Sequence, residues 1–555
     1  MEEKIVQLLG WLKDNGAVIS PKVEFRIGKV KDKIYRGVFS TERIENGECL
    51  LDIPAHLTMN LKTARHHFAK HFDNYALQKL FLLDSTIIMA VFLLLEKCDT
   101  KQKSFFWPYI DSLPENIDNP MHWNQKELEY LQGTSVYNAV KIRKLDYEND
   151  IEKINDIFGK EYENIFTIQN YTWARSIISS RSFPGWLYEG IQNESRQDSK
   201  FIRFVSEATC EVSVDDKLLA SPVLVPALDM LNHCLAQQVT WKSFRSSESH
   251  LIKFLAADDI PAKTEVFNNY GSKSNDSLLL GYGFVVCRNP FEKFCVKLNV
   301  SRHDDLWQYR SMALKKFGYH EIPEFEICLE NILPSNLLTV ISVLIANEAE
   351  LGQFLSGKPF TITQRNQISC LEHLSCLLKN ELEKLGQFKV NDEVKLTERL
   401  EMAITYREGQ MNLLQKSLEK CLNVKKMILG ENFKERFVSQ IKLVEECPHL
   451  NNVLGAAEKY FESLDPETSF ILSLIYFLSF PPEGSSLLED GVLKLINSIN
   501  VEDVDEAMDQ YLQDVANVFS SCDLKFDAND LKRVSNQVIC MVDEYGLTID
   551  SVYGR

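Results

Sequence analysis

Hydrophobic positions along this chain fall into two regimes. Over roughly the first 300 residues, short alternating runs are interleaved with helical patterns; beyond Asn299 helical spacing takes over. Residues 2 to 15 place Ile5, Val6, Leu8, Leu9 and Leu12 at helical spacing among charges, and Gly16 supplies a stop, which predicts a short amphipathic helix. From Val23 to Asn60 the pattern predicts strands at Val23–Ile27, Arg36–Phe39 and Glu48–Pro54, with Asn46-Gly47 as a turn signal between the last two. Ile87 to Leu95 is an unbroken apolar run behind Asp84-Ser85. A membrane-crossing helix takes about 20 apolar residues, so this run predicts a buried core helix, capped by Asp84 or Ser85.

From there to about residue 215 the pattern is helical and charged, broken at Phe105-Phe106-Trp107-Pro108 and Ser112-Leu113-Pro114. Strand character then resumes at Glu211–Val214, Val239–Trp241, His250–Phe254 and Glu265–Phe267, with Ser246–Ser249 as a turn. Long helical segments follow at Leu337–Leu355, Ile368–Leu385, Leu396–Val424 and Glu502–Phe519, and no internal repeat of fixed period stands out.

Length and composition narrow the classes. A chain of 555 residues outgrows one ordinary core, so two or three domains are expected. A formal charge of -18 argues against a general nucleic-acid binder, which needs a basic face; an acidic surface either attracts a basic partner or, more commonly, only keeps a protein soluble. The thirteen cysteines include no C-x-x-C pair, and the first residues do not read as a secretory signal. A reducing compartment is therefore expected, cytoplasmic or nuclear as well. No G-x-G-x-x-G follows a strand and no phosphate-loop motif is present. His66, His67 and His71 have near-zincin spacing, but Phe68-Ala69-Lys70 supplies no general base and adds a cation, so no metal site is expected.

The candidate chemistry lies between Val223 and Val285. Leu224-Val225-Pro226-Ala227-Leu228-Asp229-Met230-Leu231 is an apolar run closed by Asn232-His233. Asn268-Asn269-Tyr270-Gly271 follows a short strand-like run, and Leu278-Leu279-Leu280-Gly281-Tyr282-Gly283-Phe284-Val285 adds a second tyrosine. An Asn-His pair followed by two spaced tyrosines breaks patterns that would otherwise only fill a core.

In this order and spacing the blocks resemble the SET-domain methyltransferases, specifically the split-SET class typified by the plant Rubisco large-subunit lysine methyltransferase. That class reads roughly (V/L)P-x-x-D-x-x-N-H, then x-x-Y-G, then a Leu-rich segment ending D-Y-G-F; this chain has Gly281 where Asp is usual. Where the class has G-x-G, this chain has Tyr35-Arg36-Gly37. Trp173–Phe183 resembles the class's W-A-x-x-x-x-x-S-R-x-F helix.

The resemblance implies an α+β fold: a mostly β SET core split by a helical insert and followed by an all-helical C-terminal domain. The expected boundaries are 1–20 for an N-terminal helix, 21–85 and 216–300 for the SET halves, 86–215 for the insert and 301–555 for a substrate-binding domain. It implies S-adenosylmethionine as methyl donor, without metal, held by Arg36, Gly37, Ser180, Arg181, Asn232, His233, Tyr270 and Tyr282. Arg181 would reach the donor's carboxylate or instead salt-bridge the acidic surface, Asp229 would brace its turn, and Tyr270 would be the catalytic residue.

The expected reaction is methylation of a lysine on a non-histone protein. The blocks look most like fungal enzymes acting on large-subunit ribosomal proteins, with an elongation factor, a protein histidine as in one actin-modifying relative, or an inactive binding module as alternatives. A monomer that binds neither nucleic acid nor membrane is expected.

Overall fold

The computed structural model describes residues 2–30, 33–100, 103–189, 220–236, 238–245, 250–298, 306–356, 362–388, 396–429, 449–457, 466–480, 507–522 and 524–545. The expected strand Glu211–Val214 and the turn Ser246–Ser249 lie outside these residues. The chain forms two compact units, one of Met1–Glu292 with Gln387–Gly409, the other of Lys293–Gly386 with Gln410–Arg555.

The first unit opens with the helix Glu2–Asp14, whose Ile5, Leu8 and Leu12 are buried, and Gly16 at φ +90° ends the approach to the first strand. Among the described residues the strands that follow are β1 (Val18–Ile19), β2 (Val23–Val30), β3 (Lys33–Ser40), β4 (Cys49–Pro54), β5 (Ser182–Pro184), β6 (Pro222–Leu224), β7 (Val239–Arg245), β8 (His250–Ala256) and β9 (Glu265–Val266). They assemble as β1-β4-β8-β7, β2-β3-β9 and β5-β6. β8 alternates as a half-buried strand should: Ile252, Phe254 and Ala256 point into the core, while Lys253 pairs with its cross-strand partner Asp52 at 3.0 Å on the outer face.

The Asn46-Gly47 turn signal is present, with Gly47 at φ +86°, but it closes no hairpin. β3 pairs with β2 and β9, whereas β4 pairs with β1 and β8, so the turn carries the chain from one sheet to another. Its geometry is local; the choice of partner strand is not.

The apolar run folds as the helix Ser85–Leu94, buried on all sides and capped by Asp84, whose carboxylate accepts from the Thr86 amide at 2.7 Å. It packs against the helices Leu61–His71 and Ile168–Arg181. The His67 and His71 rings lie tilted at 4.6 Å, and half-buried His67 is tied through Nδ1 to the buried Glu96 carboxylate at 2.6 Å, while His71 is exposed. No helix among the described residues is long and apolar enough to cross a membrane.

Among the described residues the second unit is helical apart from one strand pair, which corrects the sequence reading. β10 (Lys293–Val296) pairs antiparallel with β11 (Phe325–Cys328), so the region beyond residue 301 is not all helix. Phe325 and Ile327 alternate inward, but four residues are too short a run to stand out against helical neighbours. The single helix expected over Leu337–Leu355 is two, Ser335–Leu344 and Glu348–Ser356. Asn347 divides them as an N-cap, its side chain accepting from the Glu350 amide at 2.9 Å while Glu350 reaches back to the Asn347 amide at 3.1 Å. Gln364–Gly386, Glu398–Leu429 and Ala507–Ser521 are helices close to the expected segments.

Candidate active site

Two chain segments run side by side at the centre of the first unit. The backbone at Asn232–Cys234 pairs in parallel with that at Asn268: the Asn268 amide donates to the Asn232 carbonyl at 2.8 Å, and the Cys234 amide donates to the Asn268 carbonyl at 2.9 Å. This register brings His233 beside Tyr270. The Tyr270 amide donates to His233 Nδ1 at 3.1 Å, and the rings stack with centroids 5.1 Å apart. Tyr282, the last residue of the helix Asn275–Tyr282, stacks on the other face of the column at 4.9 Å from Tyr270, with Phe284 edge-on to both tyrosines.

The backbone amide must be the donor in its bond to His233, so Nδ1 is the ring's lone-pair nitrogen and Nε2 carries the proton. Burial, reinforced by the charge of Lys273, pushes the His233 pKa down, which keeps the ring neutral in this tautomer. Nε2 is buried with no partner in the protein, and so is Asn268 Oδ1 on the paired segment. One unspent donor and one unspent acceptor beside a flat aromatic stack fit the edge and face of a purine such as that of S-adenosylmethionine. The residues present therefore suit that donor.

The Tyr270 hydroxyl donates to the Leu231 carbonyl at 2.7 Å. Burial first, with the nearby acids Asp229 and Glu265 adding to it against Arg181, pushes its phenol up to about 12, so it is a neutral hydroxyl at physiological pH with lone pairs left to accept. The Tyr282 phenol is also raised, by burial and then by Tyr270.

The other expected residues divide. Asn232 lies in the site's frame: its Nδ2 donates to the Arg36 carbonyl at 2.8 Å and to Glu265 Oε1 at 2.7 Å. Gly37 sits beneath that carboxylate, and a Cβ there would come within 2.6 Å of Oε1. The Arg36 guanidinium turns away to donate to the Ser112 carbonyl, and burial lowers its pKa. Arg181 is held by a buried acid, not by the acidic surface that is the expected alternative to the donor. It donates to the Asp229 carbonyl at 2.8 Å and faces the Asp229 carboxylate at 3.3 Å, while Tyr109 donates to the same carboxylate at 2.9 Å. Burial raises the Asp229 pKa, with Arg181 and Tyr109 working against that rise. Asp229 thus braces its turn, as expected. Ser180 is not brought to the stack: its hydroxyl bonds back to the Ser176 carbonyl of its own helix at 2.8 Å.

Gly281 is in open space with no atom within 4 Å of a Cβ, and its carbonyl accepts from Ser179 at 3.1 Å. Sequence reasoning missed Glu265, Tyr109 and the Leu231 carbonyl. Glu265 opens a strand-like run, but nothing local marks it as the partner of Asn232.

Comparisons with known proteins agree with this geometry. The family model described as SET domain matches residues 35–271, and that described as EFM1 middle domain matches residues 293–432. The ribosomal lysine N-methyltransferase set10 of Schizosaccharomyces pombe is 24% identical over 541 residues, covering 91% of this chain and 92% of that protein. An actin-histidine N-methyltransferase of Xenopus tropicalis is also 24% identical, covering 77% of this chain and 71% of its own. Among solved structures, the SET domain of LSMT bound to lysine and AdoHcy superposes with a TM-score of 0.60 at 18% identity, over 77% of this chain and 93% of the other. Rubisco LSMT bound to AdoMet superposes with a TM-score of 0.59 at 19% identity, with the same coverages.

Proposed function

We propose that this chain, which matches the SET domain over residues 35–271 and the EFM1 middle domain over residues 293–432, transfers a methyl group from S-adenosylmethionine to a lysine of a large-subunit ribosomal protein. The observation that carries the reading is the column His233–Tyr270–Tyr282, with the Tyr270 hydroxyl tied to the Leu231 carbonyl and a donor and an acceptor beside it left unspent.

When bound, the donor supplies an electrophilic methyl on a sulfonium; the protein's task is to present a neutral amine to it. A lysine with a pKa near 10.4 is charged at pH 7, and losing that proton costs about 4–5 kcal/mol. Drawing the amine into an apolar, aromatic-walled site lowers that cost, because desolvation disfavours ammonium. A phenol held at about 12 is a poor base at neutral pH, so Tyr270 orients the amine through its hydroxyl lone pairs. The Leu231 carbonyl, by fixing the Tyr270 proton, fixes where those lone pairs point. Asn232, clamped between the Arg36 carbonyl and Glu265, holds the polypeptide under the site.

The ribosomal substrate is supported by the relative set10, which matches along nearly the whole chain, and by a net charge of -18 suited to a basic protein. An enzyme acting on ribosomal proteins works in the cytoplasm, or in the nucleus as well. Actin-histidine N-methyltransferases at the same 24% identity support a second reading, with histidine as acceptor. Tritiated-methyl transfer into lysate proteins, with Tyr270→Phe as control, followed by acid hydrolysis, separates them. Methyllysine on a large-subunit protein supports the proposal, methylhistidine supports the second reading, and incorporation into neither removes both.

A further inference from the structure

Tyr282 ends the helix Asn275–Tyr282, and the groups that hold its two ends are held in turn by Arg399 and Gly409, near the start of the helix Glu398–Leu429 and within the same compact unit. At the C-terminal end Gly283 adopts φ +80° and caps the helix, its amide donating to the carbonyls of Leu278 and Leu279. A Cβ at Gly283 would lie 2.7 Å from the Asp118 carbonyl carbon and 2.8 Å from the Asn119 amide nitrogen, so the backbone of residues 118–119 is the seat of this turn.

Arg399 holds that seat. Its Nε donates to Asp118 Oδ1 at 2.7 Å and its Nη1 to Glu127 Oε2 at 2.5 Å, while its plane lies 5.8 Å from the centre of Trp123, whose indole donates to the Asp118 carbonyl at 3.1 Å.

At the N-terminal end, buried Asn275 exchanges hydrogen bonds with the Val286 backbone at 3.0 and 2.8 Å and donates to Glu292 Oε2 at 2.8 Å. Glu292 is 3% exposed, and a Cβ on residue 409 would come within 2.8 Å of the same oxygen. A glycine in a helix costs about 1 kcal/mol against alanine, so Gly409 has a packing reason here: it leaves room for Glu292.

We propose that the first turns of the helix Glu398–Leu429 form a clamp which, through Arg399 and Gly409, sets the Tyr282 ring against Tyr270, making Arg399 a positioning residue for methyl-donor binding. An eight-residue helix is marginal by itself; this one packs on the helices Ser135–Phe158 and Ile168–Arg181, and the groups at its two ends fix its final seat. Arg399 and Gly409 fall within the EFM1 middle match and outside the SET match, so the donor's aromatic wall is completed from beyond the SET domain. The inference rests on the donor-site reading above.

The test uses full-length protein carrying 3-fluorotyrosine, with the Tyr282 fluorine resonance assigned by its loss in Tyr282→Phe. In Arg399→Ala this resonance shifts or broadens while that of Tyr171, held by Asp150 elsewhere in the unit, stays put. The calorimetric Kd for S-adenosylmethionine rises about 3- to 10-fold, the scale of one ordinary hydrogen bond, because Arg399 acts on the ring through Asp118. Arg399→Lys recovers part of that loss, and Arg43→Ala, which breaks the exposed pair with Asp259, leaves both readouts unchanged. Asp118→Asn weakens the same joint and serves if Arg399→Ala does not fold. A lowered melting temperature with Tyr282 and Kd unmoved would overturn the clamp. Wild-type protein that binds no donor defeats the donor reading instead, and the fluorine spectrum still decides whether Arg399 sets Tyr282.

Discussion

Asn232 and Glu265 share a hydrogen bond of 2.7 Å, and the same Glu265 oxygen occupies the space that a Cβ on residue 37 would need. One carboxylate therefore explains both why the amide is held and why position 37 is glycine. Gly37→Ala forces the acid aside and costs about 1–3 kcal/mol, the usual penalty of overpacking. Glu265→Ala frees the space but releases Asn232. In a double-mutant cycle on thermal stability and donor affinity, Gly37→Ala costs much less in the Glu265→Ala background than alone. Additive losses would show that the acid does not constrain the glycine.

Tyr270→Phe removes the hydroxyl that bonds the Leu231 carbonyl and orients the amine. A decrease in kcat of about 100- to 1,000-fold is expected, as for loss of a preorganised polar contact, with a smaller change in donor Kd because the ring still stacks. Single-turnover methyl transfer beside donor calorimetry checks the split. Full turnover in a folded Tyr270→Phe enzyme would remove Tyr270 from the mechanism.

The pH dependence separates positioning from base catalysis. With its phenol at about 12, Tyr270 does not titrate between pH 7 and 10, so a rise of kcat/KM across that range belongs to the substrate amine and persists in Tyr270→Phe. For stability the sign runs the other way. The folded state keeps the Tyr270 proton above pH 10, where the unfolded state releases its own, so stability falls as pH rises from 10 toward 12. Buried Tyr109 and Tyr282, both raised, act in the same sense. Urea midpoints followed by tryptophan fluorescence from pH 8 to 12 measure the decline.

Arg181 and Asp229 form a pair whose acid is only 1% exposed in its side chain. Replacing either partner alone leaves the other charge unmatched and costs about 3–5 kcal/mol, whereas Arg181→Met with Asp229→Leu recovers much of that loss. Thermal unfolding of the four proteins closes this cycle. A double variant that loses the sum of the two single losses would mean that the partners act independently.

Gly281 stands where the class has aspartate, yet its position is open. Gly281→Ala is expected to stabilise the helix by about 0.5–1 kcal/mol and to leave kcat unchanged. Lost activity in that variant would show that the glycine itself serves turnover.

Much of the site was legible because its signals are local. The Asn232-His233 pair, Tyr270 and Tyr282 stand out as polar or aromatic breaks in apolar runs, and the chain brings three of them into one stack. The Ser85–Leu94 helix and the Gly16 stop were legible for the same reason. Ser180 and Arg181 were placed by motif alone, and motif does not say where a side chain turns at a helix end. Ser180 bonds its own helix, and Arg181 goes to Asp229, 48 residues on.

By itself the sequence determined the alternation of strands and helices, the buried apolar helix and the identity of the aromatic and polar groups at the centre, since each depends on spacing within a few turns or strand residues. Only the tertiary structure decided which partners fix those groups. Glu265 meets Asn232 across 33 residues and Arg399 meets Asp118 across 281, and strands flanking a correct Asn-Gly turn joined different sheets. Those choices are made by burial and hydrogen-bond satisfaction summed over the whole unit, a quantity that no local window of the chain contains.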